Sequence, residues 1–221
     1  MSKIKACIFD LDGVIVDTAR FHFLAWKRLA EALDIPFTEE DNEQLKGVSR
    51  VESLEIILQL GNRTLDAVVF EENMNLKNQW FLEYITRMTP KDILPGVREF
   101  IKELKAAQVR IALGSASKNA RTILRQIEML DDFEVIMDGT QITTAKPDPE
   151  IFLKAAEGLG IAPENCVVFE DAPKGIEAAH RAGMGAVGVG LPMNLAEAEV
   201  VITGFEEMTW QRLQEIFSPQ M

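Results

Sequence analysis

The sequence predicts an α/β protein: a parallel sheet layered between helices, with a helical domain inserted into it. Three observations carry that prediction. Residues 6–9 form an unbroken apolar run, A-C-I-F, that stops at Asp10, the pattern of a strand buried on both faces. From residue 97 onward, short β-branched runs alternate with segments of helical spacing, as a parallel sheet with crossover helices requires. Between these regions, residues 19–88 show helical spacing and no convincing strand. The expected division is a core domain of residues 1–15 and 92–221 and a helical domain of residues 16–91, with hinge linkers at both ends.

Taken in order, the first strand ends in D-L-D-G, with Asp10 at its carboxyl end, Asp12 two residues on and Gly13 free to turn the chain. Thr18 stands where a helix N-cap belongs, ahead of Phe21, Leu24, Ala25 and Leu29 at helical intervals. Pro36 closes that helix, and T-E-E-D at 38–41 starts another. That helix breaks at K-G-V-S-R, residues 46–50, and a further one follows over 50–60. Thr64 precedes a long segment, 65–88, with neither Gly nor Pro. Two prolines and a glycine in residues 89–96 mark the return linker. Helices are then expected at 97–107, 118–129, 149–158, 173–182 and 206–217. Strands are expected at 109–113, 135–137, 166–169, 186–189 and 200–202.

Composition narrows the possible partners. The 221 residues have 47% hydrophobic and 26% charged content, ordinary for a folded globular chain. A net charge of −12, without a dense Lys/Arg block, argues against nucleic acid or an anionic membrane as partner. A small anionic substrate remains compatible, because a few local cations and helix N-termini can hold it. Cys7 and Cys166 both fall in expected buried strands, where a free thiol packs as a small apolar group. Asp10 and Asp12 interrupt any N-terminal signal segment, and no stretch reaches membrane-spanning length. A reducing cytoplasm is the expected location.

Strand ends in an open parallel sheet face the ligand crevice, so Asp10 and Asp12 are candidate active-site acids. Two carboxylates so close repel unless a proton or a cation offsets them, and a hard divalent ion such as Mg²⁺ suits oxygen ligands. The same four residues also fit a solvated turn. Three further strand ends point to the same crevice. Residues 114–119 read G-S-A-S-K-N, a small-residue turn opening a helix and suited to an anion, though such residues also cap helices without any ligand. Lys146 lies just ahead of Pro147 and Pro149, in an extended loop. Glu170 and Asp171 follow the apolar run 166–169 as a second acid pair.

D-x-D-G, a strand-end Ser, a Lys and E-D, in this order, resemble the haloacid dehalogenase-type phosphohydrolase superfamily. The resemblance implies a Rossmann-like three-layer core with an inserted α-helical cap. It also implies a mechanism in which Asp10 attacks phosphorus to form an aspartyl phosphate while Asp12 serves as general acid and base. Asp at the second position is the form found in phosphatases and phosphomutases of the superfamily. By the same resemblance Mg²⁺ is held by Asp10, the backbone carbonyl of Asp12 and Asp171, with Glu170 close by. Ser115 and Lys146 would neutralise the transferring group, and closure of the cap would exclude water.

Details of the cap resemble the phosphoglucomutase branch. Thr18 and His22 are four apart, Trp26 is a turn further on, and L-K-G-V-S-R at 45–50 is followed by Ser53. Lys77 on the long helix and Ser115, Ala116, Ser117, Lys118 and Asn119 in the core also match. The resemblance implies that Arg50 grips the non-transferring phosphate. Lys46, Gly47, Val48 and Ser49, with Ser53, Ser117 and Asn119, would line the substrate, while His22 and Lys77 would set Asp12. It further implies a cytoplasmic monomer that interconverts β-glucose 1-phosphate and glucose 6-phosphate through β-glucose 1,6-bisphosphate. A sugar-phosphate phosphatase with the same nucleophile and a non-catalytic sugar-phosphate sensor stand as alternatives. Singly, His22 also reads as a satisfied helix residue, Trp26 as core and Arg50 as a surface charge.

Overall fold

In the computed structural model, which describes residues 4–45 and 49–218, strand β1 (Ala6–Phe9) lies at the middle of one sheet. Four helices follow it: α1 (Ala19–Ala32), α2 (Glu39–Glu43), α3 (Arg50–Leu60) and α4 (Ala67–Ile85). The chain then alternates through α5 (Val97–Ala106), β2 (Arg110–Gly114), α6 (Ala120–Gln126), β3 (Val135–Met137) and α7 (Glu150–Leu159). It ends with β4 (Cys166–Glu170), α8 (Pro173–Arg181), β5 (Gly185–Val189), β6 (Val200–Ile202) and α9 (Trp210–Phe217). The strands pair in parallel in the order β3-β2-β1-β4-β5-β6.

That order reverses direction at β1, which has β2 on one side and β4 on the other, so the crevice beyond their carboxyl ends is the topological switch point. Register then decides what lines it. Phe9 pairs with Leu113 and with Phe169, so Asp10, Gly114 and Glu170 come level at one edge.

Both faces of the sheet are covered, which is why its strands are continuous apolar runs. On one face Ala6, Ile8, Ala112, Cys166 and Val168 pack against Phe152 and Ala155 of α7 and Ile176 and Ala179 of α8. On the other, Phe9 stacks on Phe169 at 4.7 Å between ring centroids, and Phe100 and Phe205 complete the aromatic cluster. Cys7 and Cys166 are free and buried, and burial pushes both thiols up, away from the thiolate that reactivity needs.

The chain divides into two compact units, Met1–Asp17 with Met88–Met221, and Thr18–Arg87. The boundaries thus fall at 17/18 and 87/88 where 15/16 and 91/92 were expected. The outgoing and returning segments pair with each other at the base of the α/β unit: Val16 bridges Ile93, and Leu94 N–H donates to Ile15 O at 2.9 Å. Thr89 caps the short 3-10 turn Pro90–Asp92, with its N–H on Asp92 at 2.8 Å. The helical unit closes around Trp26, Leu29, Ala30, Ile35, Phe37, Leu54 and Ile57.

Several element ends differ from expectation for local reasons. Thr18 precedes α1 but its side chain makes no capping bond. The long helix starts after Asp66, whose carboxylate accepts from Val68 and Val69 N–H, a stronger cap than Thr64 could provide at its distance. Helix α6 stops at Gln126, and the chain turns through Glu128 at φ 57 into the 3-10 turn Leu130–Asp132. The last helix begins at Trp210, capped by Thr209, because residues Phe205–Glu207 form a separate 3-10 turn.

Candidate active site

Asp10 leaves β1 with its N–H bonded to Phe169 O at 3.0 Å, so it is fixed to the sheet. One carboxylate oxygen, Oδ2, accepts from Asp12 N–H at 2.9 Å, and the other, Oδ1, accepts from Lys146 Nζ at 2.5 Å. Gly13 then turns the chain at φ 77, and its N–H returns to Val16 O at 2.7 Å. Glycine is required here on two counts. An L side chain at this φ is strained, and a Cβ would run into the Asp171 carboxylate.

Lys146 is the hub of the cluster. Its ammonium bridges Asp10 and Glu170, at 2.5 Å from each, and lies 4.8 Å from the centroid of the Phe152 ring. Glu170 is buried at the end of β4, where its second oxygen accepts from Ala172 N–H at 2.9 Å. Gly175 in α8 leaves room for that carboxylate, which a Cβ there would overlap. Burial opposes the Lys146 charge, but Asp10 and Glu170 outweigh it and hold its pKa above the ordinary lysine value. Burial also pushes Asp10 above the usual carboxylate range; Lys146 pulls it down, while Glu170 and Asp12 push it further up. Asp171, at the exposed rim, is pushed up as well, by partial burial and by the charges of Glu170, Asp10 and Asp12.

Burial first and the neighbouring acids second disfavour these carboxylates, and a hard cation would favour them. The donors fit such an ion: the Asp10 and Asp171 carboxylates and the backbone carbonyl of Asp12 are all oxygen, with Asp171 packed against the D-L-D-G turn. Glu170 contributes charge and position, since its two oxygens already serve Lys146 and Ala172. Among the described residues no three His, Cys, Asp or Glu side chains form a ready metal cluster.

Ser115 follows β2 and is buried, with its N–H on Met137 O at 3.0 Å. Its Oγ accepts from Ser117 N–H at 3.1 Å, and the Ser117 Oγ accepts from Asn119 N–H at 3.3 Å. Two N–H groups expected to be open to an anion therefore close the turn on itself. The serine hydroxyl hydrogens stay available to donate. Ala116 and Lys118 are exposed on the same turn.

A second group forms within the helical unit. His22 Nδ1 lies 2.9 Å from Lys77 Nζ, and the buried Lys77 ammonium sits over the Trp26 ring at 4.6 Å and the Phe81 ring at 4.9 Å. Burial, Lys77 and Arg50 together hold His22 well below its ordinary pKa. Arg50 Nη2 donates to Asn78 Oδ1 at 3.0 Å, one residue beyond Lys77. Thr18 is buried. Ser49 caps α3 through Glu52, and Ser53 Oγ donates to Ser49 O at 2.9 Å, so both hydroxyls have structural duties. Lys46, Gly47 and Val48 lie outside the described residues.

The structure thus gathers Asp10, Asp12, Lys146, Glu170 and Asp171 into one cluster at the sheet edge that Ser115 shares. It gathers His22, Trp26, Lys77 and Arg50 in the helical unit. Sequence reasoning missed Phe152, Asn78 and the space-giving Gly175, none of which carries a local signal of its role.

A family model described as haloacid dehalogenase-like hydrolase matches residues 4–183. The chain is 46% identical over 214 residues to the β-phosphoglucomutase of Bacillus subtilis strain 168, covering 96% of this chain and 95% of that protein. It is 32% identical to a phosphorylated carbohydrates phosphatase of Thermotoga maritima, over 82% of each. The crystal structure of β-phosphoglucomutase from Clostridium difficile superposes with a TM-score of 0.90 at 40% identity, covering 96% of both chains. With a family model spanning most of its length and a near full-length relative of this identity, the chain belongs to the haloacid dehalogenase-like hydrolase family and groups with its β-phosphoglucomutases.

Proposed function

We propose that the chain interconverts β-glucose 1-phosphate and glucose 6-phosphate through an aspartyl phosphate on Asp10 and a β-glucose 1,6-bisphosphate intermediate. The observation that supports it most is the fixing of Asp10, whose two oxygens are held by Asp12 N–H and Lys146 Nζ at the switch point of the sheet. A carboxylate so oriented forms a bond to phosphorus as the bond from phosphorus to the sugar oxygen breaks. Asp12 would give a proton to that leaving oxygen and later take one from the incoming hydroxyl. Lys146 and Ser115 would bear on the charge of the transferring group, with Lys146 already ordered by its two carboxylates before substrate arrives.

Mg²⁺ would be held by Asp10, Asp171 and the Asp12 carbonyl, and when bound it would neutralise the nucleophile and the phosphoryl oxygens. In the helical unit Arg50, half-buried and tied to Asn78, would take the non-transferring phosphate. Within that unit His22, Trp26 and Lys77, with Lys46 to Ser49 and Ser53, would also contact the substrate, as Ser117 and Asn119 would in the α/β unit. Small hexose phosphates as substrates fit a chain of net charge −12 without a dense Lys/Arg block, and among the described residues no helix is long and apolar enough to cross a membrane.

The similarity to a carbohydrate phosphatase favours one second reading, hydrolysis by water in place of the second sugar hydroxyl. A coupled assay with Mg²⁺ and a trace of the bisphosphate, run side by side on the two anomers, separates them. Consumption of the β anomer alone, with glucose 6-phosphate formed faster than inorganic phosphate, is expected. Release of phosphate without glucose 6-phosphate would overturn the mutase reading.

A further inference from the structure

Lys146 sits in the loop 138–149, between β3 and α7, and its ammonium must nevertheless stand at a fixed point between Asp10 and Glu170. Two side chains of α7, Glu150 and Lys154, hold that loop from outside the cluster. Glu150, the first residue of α7, accepts three hydrogen bonds on Oε2: from Thr143 N–H at 2.8 Å, Thr143 Oγ1 at 2.9 Å and Thr144 N–H at 2.8 Å. Its other oxygen, Oε1, takes Lys154 Nζ at 2.6 Å, one turn along the helix, and that ammonium also donates to Gln141 O in the loop at 2.8 Å. The Glu150 N–H donates in turn to Asp148 Oδ1 at 2.9 Å. The loop is thereby tied to the helix start on both sides of Lys146. The same helix carries the buried Phe152 beneath the Lys146 ammonium, so α7 supplies both the clasp and the floor.

We propose that Glu150 is a positioning residue for phosphoryl transfer: by holding Thr143 and Thr144 to the first turn of α7, it sets where Lys146 stands between Asp10 and Glu170. The proposal rests on the reading that Lys146 acts on the transferring phosphoryl group. A general acid–base role is excluded for Glu150, since it touches only loop and helix. Its two oxygens make two kinds of contact: Oε2 holds the loop directly at Thr143 and Thr144, while Oε1 pairs with Lys154, which reaches the loop at Gln141 O.

The test compares kcat and KM for β-glucose 1-phosphate in the full-length Mg²⁺-loaded enzyme carrying Glu150→Ala, Glu150→Gln, Lys154→Met or Lys146→Ala, with melting temperatures alongside. A displaced catalytic group costs up to about 10²-fold in rate, so Glu150→Ala is expected to lower kcat by roughly tenfold to 10²-fold with KM little changed. Glu150→Gln keeps an acceptor for the loop and is expected to recover most of the loss. Lys154→Met removes a half-exposed ion pair and one bond to Gln141 O but leaves the Glu150 bonds to Thr143 and Thr144, and it is expected to lower kcat much less than Glu150→Ala, by no more than about threefold. Should Glu150→Ala fail to fold, Glu150→Ser keeps a residue suited to a helix start but cannot reach the loop, and the same fall in kcat is expected of it. The proposal is overturned if a folded Glu150→Ala or Glu150→Ser enzyme keeps wild-type kcat while Lys146→Ala does not. It is equally overturned if Ala, Gln and Lys154→Met all lose activity in step with melting temperature. Wild-type turnover by Lys146→Ala would instead overturn the role given to Lys146, and this proposal with it.

Discussion

In the α/β unit the Asp10 and Glu170 carboxylates are buried with the Lys146 ammonium between them; in the helical unit the Lys77 ammonium is buried beside His22 and two aromatic faces. The shifts run in opposite senses. Asp10 and Asp171 are pushed toward the protonated form, by burial and by neighbouring acids. His22 is pushed toward the deprotonated form, by burial and by the cations Lys77 and Arg50. In each unit burial, with neighbouring like charge adding to it, disfavours the charged form, at a cost that a ligand of the opposite sign would relieve. A cation suits the first set and a phosphate suits the second, which is the division of labour that a sugar-phosphate phosphotransferase needs.

Changing the acid proposed to carry the chemistry should give the largest effect. Asp10→Asn keeps the shape of the side chain and removes the proposed nucleophile, and a loss of kcat on the order of 10⁴-fold or more is expected, measured by glucose 6-phosphate formation. Activity near wild type would mean that the crowded acids of the α/β unit serve stability alone. Chelation of divalent ions comes next: turnover should vanish with EDTA and return with Mg²⁺, while the melting temperature of the stripped protein falls relative to the loaded one. Indifference to the chelator would leave the upward shifts of Asp10 and Asp171 without a function.

For the helical unit, Arg50→Lys is the sharper probe, because it keeps the charge and loses the planar fork that Asn78 holds. Loss of a charge-assisted hydrogen bond is worth about 1.5–3 kcal/mol, so KM for β-glucose 1-phosphate should rise roughly tenfold to 10²-fold, with kcat changed less. A fall in kcat at constant KM would assign Arg50 to the chemical step and erase the contrast between the units.

The contrast was only half legible in the sequence. Runs of apolar residues ending in acids gave away β1 and β4, because a strand buried on both faces has no alternation to hide its boundary. That Asp10 and Glu170 share an edge follows from register, which local pattern does not encode. Lys146 was readable as a loop lysine between prolines, but its bridge to Asp10 spans 136 residues of sequence. Glu150 looked like an ordinary first-turn acid of a helix, and its three bonds back to Thr143 and Thr144 depend on a loop conformation that no periodicity describes. In the helical unit the spacing of His22 and Trp26 placed them on one face, yet the ring of Phe81, the ammonium of Lys77 and the amide of Asn78 come from a helix more than fifty positions away. Thr18 and Thr64 show the limit of capping rules: side chains that cap in isolation yield where another geometry or a nearby Asp does better.

The smallest effect tests the helical side of the contrast through protons. The folded pKa of His22 lies below its unfolded value of 6.5, so in the interval between the two the unfolded chain binds a proton that the folded chain does not. Stability then falls as pH drops through that interval and is fully kept above 6.5. This is the reverse of a histidine that gains an acidic partner on folding. His22→Gln removes the group, and both proteins share every other titrating residue, including His180 and the acids. Going from about pH 7.5 to about pH 5.5, the variant should therefore lose on the order of 1 kcal/mol less unfolding free energy than the wild type, by denaturant melts at each pH. Parallel losses would mean that His22 titrates near its ordinary value, that Lys77 and Arg50 do not press on it, and that positive charge is not what distinguishes the helical unit from the sheet edge.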